Sequence, residues 1–533
     1  MSELKEFIVT LHSYDDLDSF YEDMETPGGN LYIPNRSCDC ALRREISRNT
    51  HYMLTDEEAA DLRNDPRVMA VEQLPEDLGF KPRPAFIQTE TSWDKSSTNS
   101  STHKNWGLLR CVNGQQISNW GSNGTAVQSG TIRTNASGRN VDVVIVDGMI
   151  NPAHPEFAVN SNGTGGSRVV QYNWRGYLGS TYTYTPYIDG GNADRTDDNN
   201  HGMHVAGTVA GSTQGWARSA NIYNINPYGT DINGISTLLI FDYIRQWHNT
   251  KTVNPATGIK NPTLVNNSWG YGYELPTTGI SSVIYRGVVN NAPFTDAQLL
   301  NFGLFVSGGS AFGPVRVTAM DQDILDAIND GIIVVGAAGN DYVKIDTTTG
   351  PDFNNRFIWS GSNVFYHRGG SPSAASTSIC VGAVSALVNE SKATFSNAGP
   401  RVDLYAPGQN IMSSLHSGGT FDPRDVSYRI GKYQGTSMAS PQVAGVLACA
   451  LETYPRMRQD EAVSYIKYYA KNNQISDTGG GYTDTTSLQG AENKYLFFYK
   501  ERKDSGRLFP KVDYKIRTTA VQTYPRVRIR RTV

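Results

Sequence analysis

Cysteine is scarce in this chain, five residues in 533, and that scarcity excludes a disulfide-stapled fold. Cys38 and Cys40 flank a single residue, a spacing that seldom closes an unstrained bridge, and no further ligands gather beside them for a metal. Five reduced thiols are expected. Long hydrophobic runs are missing too. The longest, such as the one ending at Val335, fall far short of the roughly 20 apolar residues that a bilayer span needs, so no membrane partner is expected. The opening MSELKEFIVTL lacks the basic stretch, apolar run and small-residue cleavage site of a secretory signal. The expectation is a soluble chain not exported by the usual route, cytoplasmic or virion-associated. Charged residues make up only 18%, and a net charge of -4 says little about partners. Its distribution says more: the first eighty residues are acidic and the last thirty basic.

At this length two or three folded units are expected. Residues 6–11 (EFIVTL) read as a strand and 15–25 (DDLDSFYEDME) as a short acidic helix. Thr55 and Glu58 stand at capping-box spacing ahead of Ala59, Ala60 and Leu62, and 68–73 (VMAVEQ) reads as another strand. This order predicts a small α+β unit over residues 1–77, then a Pro-, Ser- and Thr-rich linker over 78–104. Over 105–473, Val- and Ile-rich runs (VDVVIVDG, LVNNSWG, GIIVVGAAGN) alternate with helical stretches such as 320–330. Runs like these suit strands buried on both faces of a parallel sheet, where active sites gather at the carboxyl ends. Long loops interrupt this α/β unit at about 158–196, 271–315 and 341–372. Residues 474–533 form a C-terminal extension that ends on YPRVRIRRTV. A basic end without an aromatic stacking platform argues against nucleic-acid binding and for packing on the protein or on an assembly partner.

Amide hydrolysis at neutral pH needs an activated nucleophile, a base, a group that orients the base, and donors for the developing oxyanion. Four segments offer these. VVIVDG ends in Asp147, a carboxylate at the tip of a buried strand that needs a partner such as an imidazole N–H; capping the next turn is the alternative. HGMHVAGTVAG begins with His201, and its small residues suit a closely packed helix. Spacing alone does not choose between His201 and His204 as the base, and two histidines three apart also suit a metal. GIIVVGAAGN leads into Asn340, whose uncharged amide suits an oxyanion donor, though Asn after Gly is also a common turn residue. GTSMASPQVAGVLACALE places Ser437 at a helix N-terminus, where free backbone N–H groups face outward; a plain N-cap serine is the other reading.

In the same order, these four segments resemble the signature blocks of the subtilases, the subtilisin and proteinase K group of serine proteases. Seven consecutive residues, GTSMASP, would match by chance on the order of once in a billion positions. The resemblance implies an α/β, subtilisin-like three-layer domain around a parallel sheet, with an Asp147, His201, Ser437 triad and Asn340 in the oxyanion hole. His204 then becomes a packing residue. It further implies that Ser268, Trp269 and Gly270 form the strand that pairs with substrate, facing Ala337, Ala338 and Gly339 across the primary specificity pocket. WGLLR, AHPEF and FSNAGPRVDLYAPG also match family pieces. The α+β unit is similar to the subtilase propeptide, a folding chaperone and inhibitor, which implies a cut between about Leu74 and Lys104. The chemistry requires no cofactor. Structural calcium is common in the family but maps onto no residues here, leaving the acidic loop at 189–198 as the candidate place. One departure stands out: the family usually has Thr or Ser after the catalytic Asp, and here Gly148 and Met149 follow. The rival expectation is a structural or virion-associated protein that keeps the fold with little turnover.

Overall fold

The computed structural model describes residues 3–33, 40–43, 49–73, 86–88, 92–117, 120, 127–174, 176, 199–227, 237–375 and 377–499. It divides into two compact units, Met1–Arg83 and Pro84–Val533. The acidic stretch at 189–198, Cys38 and the basic tail from residue 500 lie outside the described residues.

In the first unit, four strands pair antiparallel in the order Cys40–Arg43, Asn49–Leu54, Lys5–Leu11, Val68–Gln73. Alternation along Lys5–Leu11 sends Phe7, Val9 and Leu11 to one face. There they pack with Phe20 and Met24 of the Leu17–Glu25 helix and with Ala59 and Leu62 of the Asp56–Leu62 helix. The capping box forms: Thr55 Oγ1 accepts from the Glu58 N–H, and Glu58 Oε2 accepts from the Thr55 N–H at 2.8 Å. This satisfies two donors that a helix start leaves without partners.

The second unit is built on a nine-stranded sheet. Its order is Val169–Val170, Asn221–Ile225, Asp142–Val146, Thr263–Asn267, Ile333–Ala337, Ile379–Val384, Leu404–Pro407, Lys494–Tyr495, Lys471–Asn472, parallel throughout except for the last pair. Five central strands are buried at every position. The period of two explains how. Val143 and Ile145 join one core with the Asn199–Ala210 and Thr436–Thr453 helices; Val144 and Val146 join another with the Ile240–Thr250 and Thr318–Asn329 helices. Helix, sheet, helix makes the three layers. No helix among the described residues is long and apolar enough to cross a membrane, and the described cysteines (Cys40, Cys111, Cys380, Cys449) are free thiols.

Three segments differ from the expectations. Residues 92–104, assigned to a linker, contribute the parallel strands Ser92–Asp94 and His103–Asn105. Trp93 is fully buried, and Lys95 is paired with Glu390 at 2.9 Å inside the core. The start of the C-terminal extension belongs to the domain as well: Tyr495 adds a strand to the main sheet, and Leu496 and Phe498 are buried. The loops at 271–315 and 341–372 are not irregular. They pool strands into two small antiparallel sheets around a separate core of Ile280, Val283, Leu299, Val306, Phe357 and Tyr366.

Candidate active site

Asp147 follows the Asp142–Val146 strand directly and is fully buried. Its Oδ1 accepts from the Gly148 N–H at 2.8 Å and from His201 Nδ1, also at 2.8 Å. With the carboxylate as the acceptor, Nδ1 is the nitrogen that carries the proton of this bond, and in a neutral imidazole Nε2 then bears the lone pair. The second oxygen, Oδ2, is buried and accepts no hydrogen bond from the described residues. Asn224 holds the strand-end turn from the next strand, its Nδ2 donating to the carbonyls of Asp147 and Gly148 at 3.1 Å.

His201 lies in the first turn of the Asn199–Ala210 helix, and the residue after it has to be small. A Cβ on Gly202 would sit 2.1 Å from the Gly148 carbonyl oxygen, so a side chain there would push the helix off the Asp147 turn. Asn200 fixes the same helix start by accepting from the His416 and Ser417 N–H groups at 2.8 and 2.9 Å. His204 is fully buried, bonds the Ile411 carbonyl through Nε2 at 2.7 Å and stacks on Tyr433. Burial pulls its pKa down to about 3, so it is neutral, and its place is in the packing against Tyr433.

Ser437 is the second residue of the Thr436–Thr453 helix, and Pro441 inside that helix has no N–H to give the Ser437 carbonyl. Gly435 before it has φ +148, a backbone region that side chains rarely adopt. The Ser437 hydroxyl donates to the Ser268 carbonyl at 3.0 Å, and Ser268 Oγ donates to the Ser437 carbonyl at 2.9 Å. This reciprocal pair locks the serine turn to the segment following the Thr263–Asn267 strand.

Asn340 is exposed just beyond the Ile333–Ala337 strand. Its Oδ1 accepts from the Thr436 N–H at 2.9 Å and from Thr436 Oγ1 at 3.0 Å. With the oxygen committed there, the Nδ2 donors are the ones that face Gly435, within 3.5 Å of where a Cβ on that glycine would stand and on the same side as Ser437. Asn340 and the serine turn therefore move as one piece. Asp147 and His201 form a second piece, and the helices that carry the two pieces pack against each other.

Ser268, Trp269 and Gly270 leave the sheet beside Ala337, Ala338 and Gly339, because their parent strands are parallel neighbours in the register Asn267 to Gly336. Asn397 braces the second wall: Nδ2 donates to the Ala338 carbonyl at 2.9 Å, while Oδ1 accepts from the Asp341 and Val343 N–H groups. Asn224, Asn200, Thr436 and Asn397 escaped sequence reasoning as site residues. Only Thr436 and Asn397 stood inside segments that had drawn notice, and a neutral amide that works by bonding backbone leaves no pattern of its own. Among the described residues no group of three or more His, Cys, Asp or Glu is placed to hold a metal ion.

The subtilase family model matches residues 138–494. The extracellular serine proteinase of Thermus sp. (strain Rt41A) is 28% identical over 427 residues, covering 80% of this chain and 71% of that protein. The alkaline serine exoprotease A of Vibrio alginolyticus is 25% identical over 429 residues, covering 80% of this chain but only 56% of its own length. A crystal structure described as a cold adapted subtilisin-like serine proteinase covers 75% of this chain and 99% of that chain, with 23% identity and a TM-score of 0.44.

Proposed function

Because the chain belongs to the subtilase family and is a subtilisin-like serine hydrolase, we propose that it is an endopeptidase working through Asp147, His201 and Ser437. The observation that carries the proposal is the 2.8 Å bond from His201 Nδ1 to Asp147, which leaves Nε2 as the basic atom. The Ser437 hydroxyl has one proton, now given to the Ser268 carbonyl. The proposal requires the hydroxyl to exchange that hydrogen bond for one to His201 Nε2. Ser437 Oγ then attacks the peptide carbonyl as His201 takes the proton, and Asp147 stabilises the imidazolium. Asn340 Nδ2 and the Ser437 N–H, at the open start of its helix, hold the oxyanion. His201 returns the proton to the leaving amine, and water releases the acyl group by the same steps. The Ser268–Gly270 segment pairs with the substrate backbone in this reading.

The test is covalent labelling. A fluorophosphonate probe added to the protein freed of its N-terminal α+β unit should modify Ser437, as read by peptide mass spectrometry, and Ser437→Ala should remove the label. Labelling elsewhere, or none, would sink the triad.

The α+β unit acts in this proposal as an inhibitory propeptide, removed by the enzyme itself. The buried Lys95–Glu390 pair and the buried Trp93 tie residues from 92 onward to the catalytic unit. Intact mass spectrometry of the matured protein is therefore expected to place the cut after Gln73 and before Ser92, narrower than the window that motif matching allows. A mature chain beginning beyond Lys95 would contradict this.

A further inference from the structure

Asn224 stands on the Asn221–Ile225 strand, opposite Ile145 in the parallel register with Asp142–Val146. Its side chain reaches across to that neighbour. Nδ2 lies 3.2 Å from the Ile145 carbonyl oxygen and 3.1 Å from those of Asp147 and Gly148. Three acceptors gathered on one side call for a donor, which fixes the amide with its nitrogen toward the turn. Its two N–H hydrogens are shared between the strand end and both residues of the turn that follows. The amide is itself well held. The Asn224 carbonyl accepts from Trp174 Nε1 at 2.7 Å, and Trp174 packs edge-on against Trp247 and Tyr172 at ring separations of 5.4 and 5.0 Å. Tyr223, the residue before Asn224, lies on Trp247 at 4.5 Å. Large, rigid rings thus fix the backbone from which the amide reaches out.

On its other side the Gly148 carbonyl meets the helix that carries His201, its oxygen being the atom 2.1 Å from where a Cβ on Gly202 would stand. One carbonyl is therefore caught between the Asn224 amide and the backbone next to His201. Its position sets how far the Asp147 turn stands from the imidazole. The carboxylate has few other means of control. Among the described residues Oδ1 accepts from the Gly148 N–H, which belongs to the same turn, and from His201 itself, while Oδ2 accepts from none. The direction of the carboxylate is thus passed on from the backbone of residues 147 and 148. Past the bond from the Asp147 N–H to the Ile225 carbonyl at 3.1 Å, the Asn224 amide ties that backbone to the neighbouring strand.

We infer that Asn224 is a positioning residue for the Asp147–His201 pair, its amide holding the turn at the distance from which the carboxylate supports the charged imidazole. This rests on the endopeptidase reading above, in which Asp147 orients the base. Leucine has the same branched shape as asparagine but no donor. In its place the carbonyls of Asp147 and Gly148 lose their partner, the turn drifts, and the 2.8 Å bond to His201 loosens. A carboxylate close to an imidazole favours the charged form. A looser pair therefore slows proton uptake from Ser437 and lets the base give up its proton at lower pH.

Wild type and Asn224→Leu, each expressed as the full chain and incubated until processing is complete, are assayed on whichever of a set of peptide anilides wild type cuts fastest. Rates are taken per Ser437 labelled by the fluorophosphonate probe. The expected kcat of Asn224→Leu is about tenfold below wild type, with KM within about twofold. The acid limb of its kcat/KM profile should move to lower pH by about half a unit, because that limb reports protonation of the base in the free enzyme. Asn224→Ala should move in the same direction. A fold merely weakened by the substitution would lower the amount of labelled enzyme and leave the pH profile in place. A second readout needs no turnover. In the full chain carrying Ser437→Ala, the downfield proton resonance of His201 Nδ1 should move upfield when Asn224→Leu is added. A kcat equal to wild type overturns the inference, as does a reduced kcat with an unshifted acid limb and an unmoved resonance. Wild type that neither labels nor cleaves sinks the endopeptidase reading and this inference with it, whereas active wild type with a superimposable Asn224→Leu sinks the positioning role alone.

Discussion

Among the described residues, Asp147 has one carboxylate oxygen with two hydrogen bonds and one, Oδ2, buried with none. The hydroxyl that relatives of this family place on the next residue is missing because that residue is Gly148. In the proposed mechanism the carboxylate would orient His201 through Oδ1. Asp147→Asn would offer His201 Nδ1 an amide in place of a carboxylate and favour the wrong tautomer; the expected loss in kcat is about 10⁴, measured with the best anilide substrate. A loss under tenfold would mean that His201 is not the base. Asn340 yields a different signature. Its Oδ1 only anchors the Thr436 turn, whereas its Nδ2 faces the cleft, so Asn340→Asp keeps the anchor and removes donors. The expected drop is about 10² to 10³ in kcat with a much smaller change in KM, as for loss of a group used only in the transition state.

Among elements, the segment 92–105 depends most on one distant residue. Glu390 takes the ammonium of Lys95 at 2.9 Å and the guanidinium of Arg110 at 2.7 Å, all three side chains being almost wholly buried. Arg110 also stacks on the Tyr495 ring at 4.0 Å, and Lys95 lies over Trp106 at 4.7 Å. Glu390→Ala leaves two cations buried without their anion, and the expected cost is about 3 to 5 kcal/mol of stability in denaturant unfolding. Double replacement with Lys95→Met should recover part of that loss, because one of the orphaned charges is gone. Equal stability of wild type and Glu390→Ala would show that the cluster is wet and loosely held. The serine helix depends instead on shape. Gly445 in its middle would place a Cβ 2.7 Å from Trp216 and 2.8 Å from the Val209 carbonyl oxygen of the Asn199–Ala210 helix, so the approach of the two helices tolerates no side chain there.

For the whole molecule, buried histidines set the response to acid. His204, His248 and His367 have pKa values of about 3, 4 and 4, and His154 is lowered too, in each case chiefly by burial. The unfolded chain holds them at the ordinary imidazole value of about 6.5, so below that pH the unfolded state binds more protons than the folded one. Their stabilising contribution is complete above about pH 6.5 and shrinks as pH falls, at up to about 1.4 kcal/mol per pH unit for each histidine. Glu156 adds a later step. Burial opposes its charge, but Arg424 and Thr213 hold its pKa near 2, so its contribution, complete above about pH 4.3, is lost as pH drops towards 2. Thermal unfolding scans should show Tm nearly flat from pH 8 to 7 and falling steadily from pH 6.5 to 4. A flat Tm across that lower window would refute neutral burial of these rings.

What the chain states locally, it states clearly. Thr55 and Glu58 announce a helix start, because a capping box is closed by residues three apart. Val143 to Val146 announce a strand buried on both faces, because every residue is apolar. The runs ending in Asp147 and Asn340, and those opening on His201 and Ser437, are each continuous in sequence, so their chemistry could be read before any contact was known. Contacts between remote stretches left no such trace. Lys95 finds its anion at Glu390, and Tyr495 finds its strand partner at Tyr405. The strand Ile280–Tyr285 finds Arg356–Trp359 across the whole central part of the domain. A charged residue in a Ser- and Thr-rich stretch looks solvated, and a loop looks irregular, until its partner is in place. Sequence alone thus singled out the side chains proposed for the chemistry and determined which runs form the sheet, since both follow from neighbours along the chain. Only the tertiary structure decided that residues 92–105 and 474–499 belong with the second unit. Burial and charge pairing are properties of space, and no spacing along the chain encodes them.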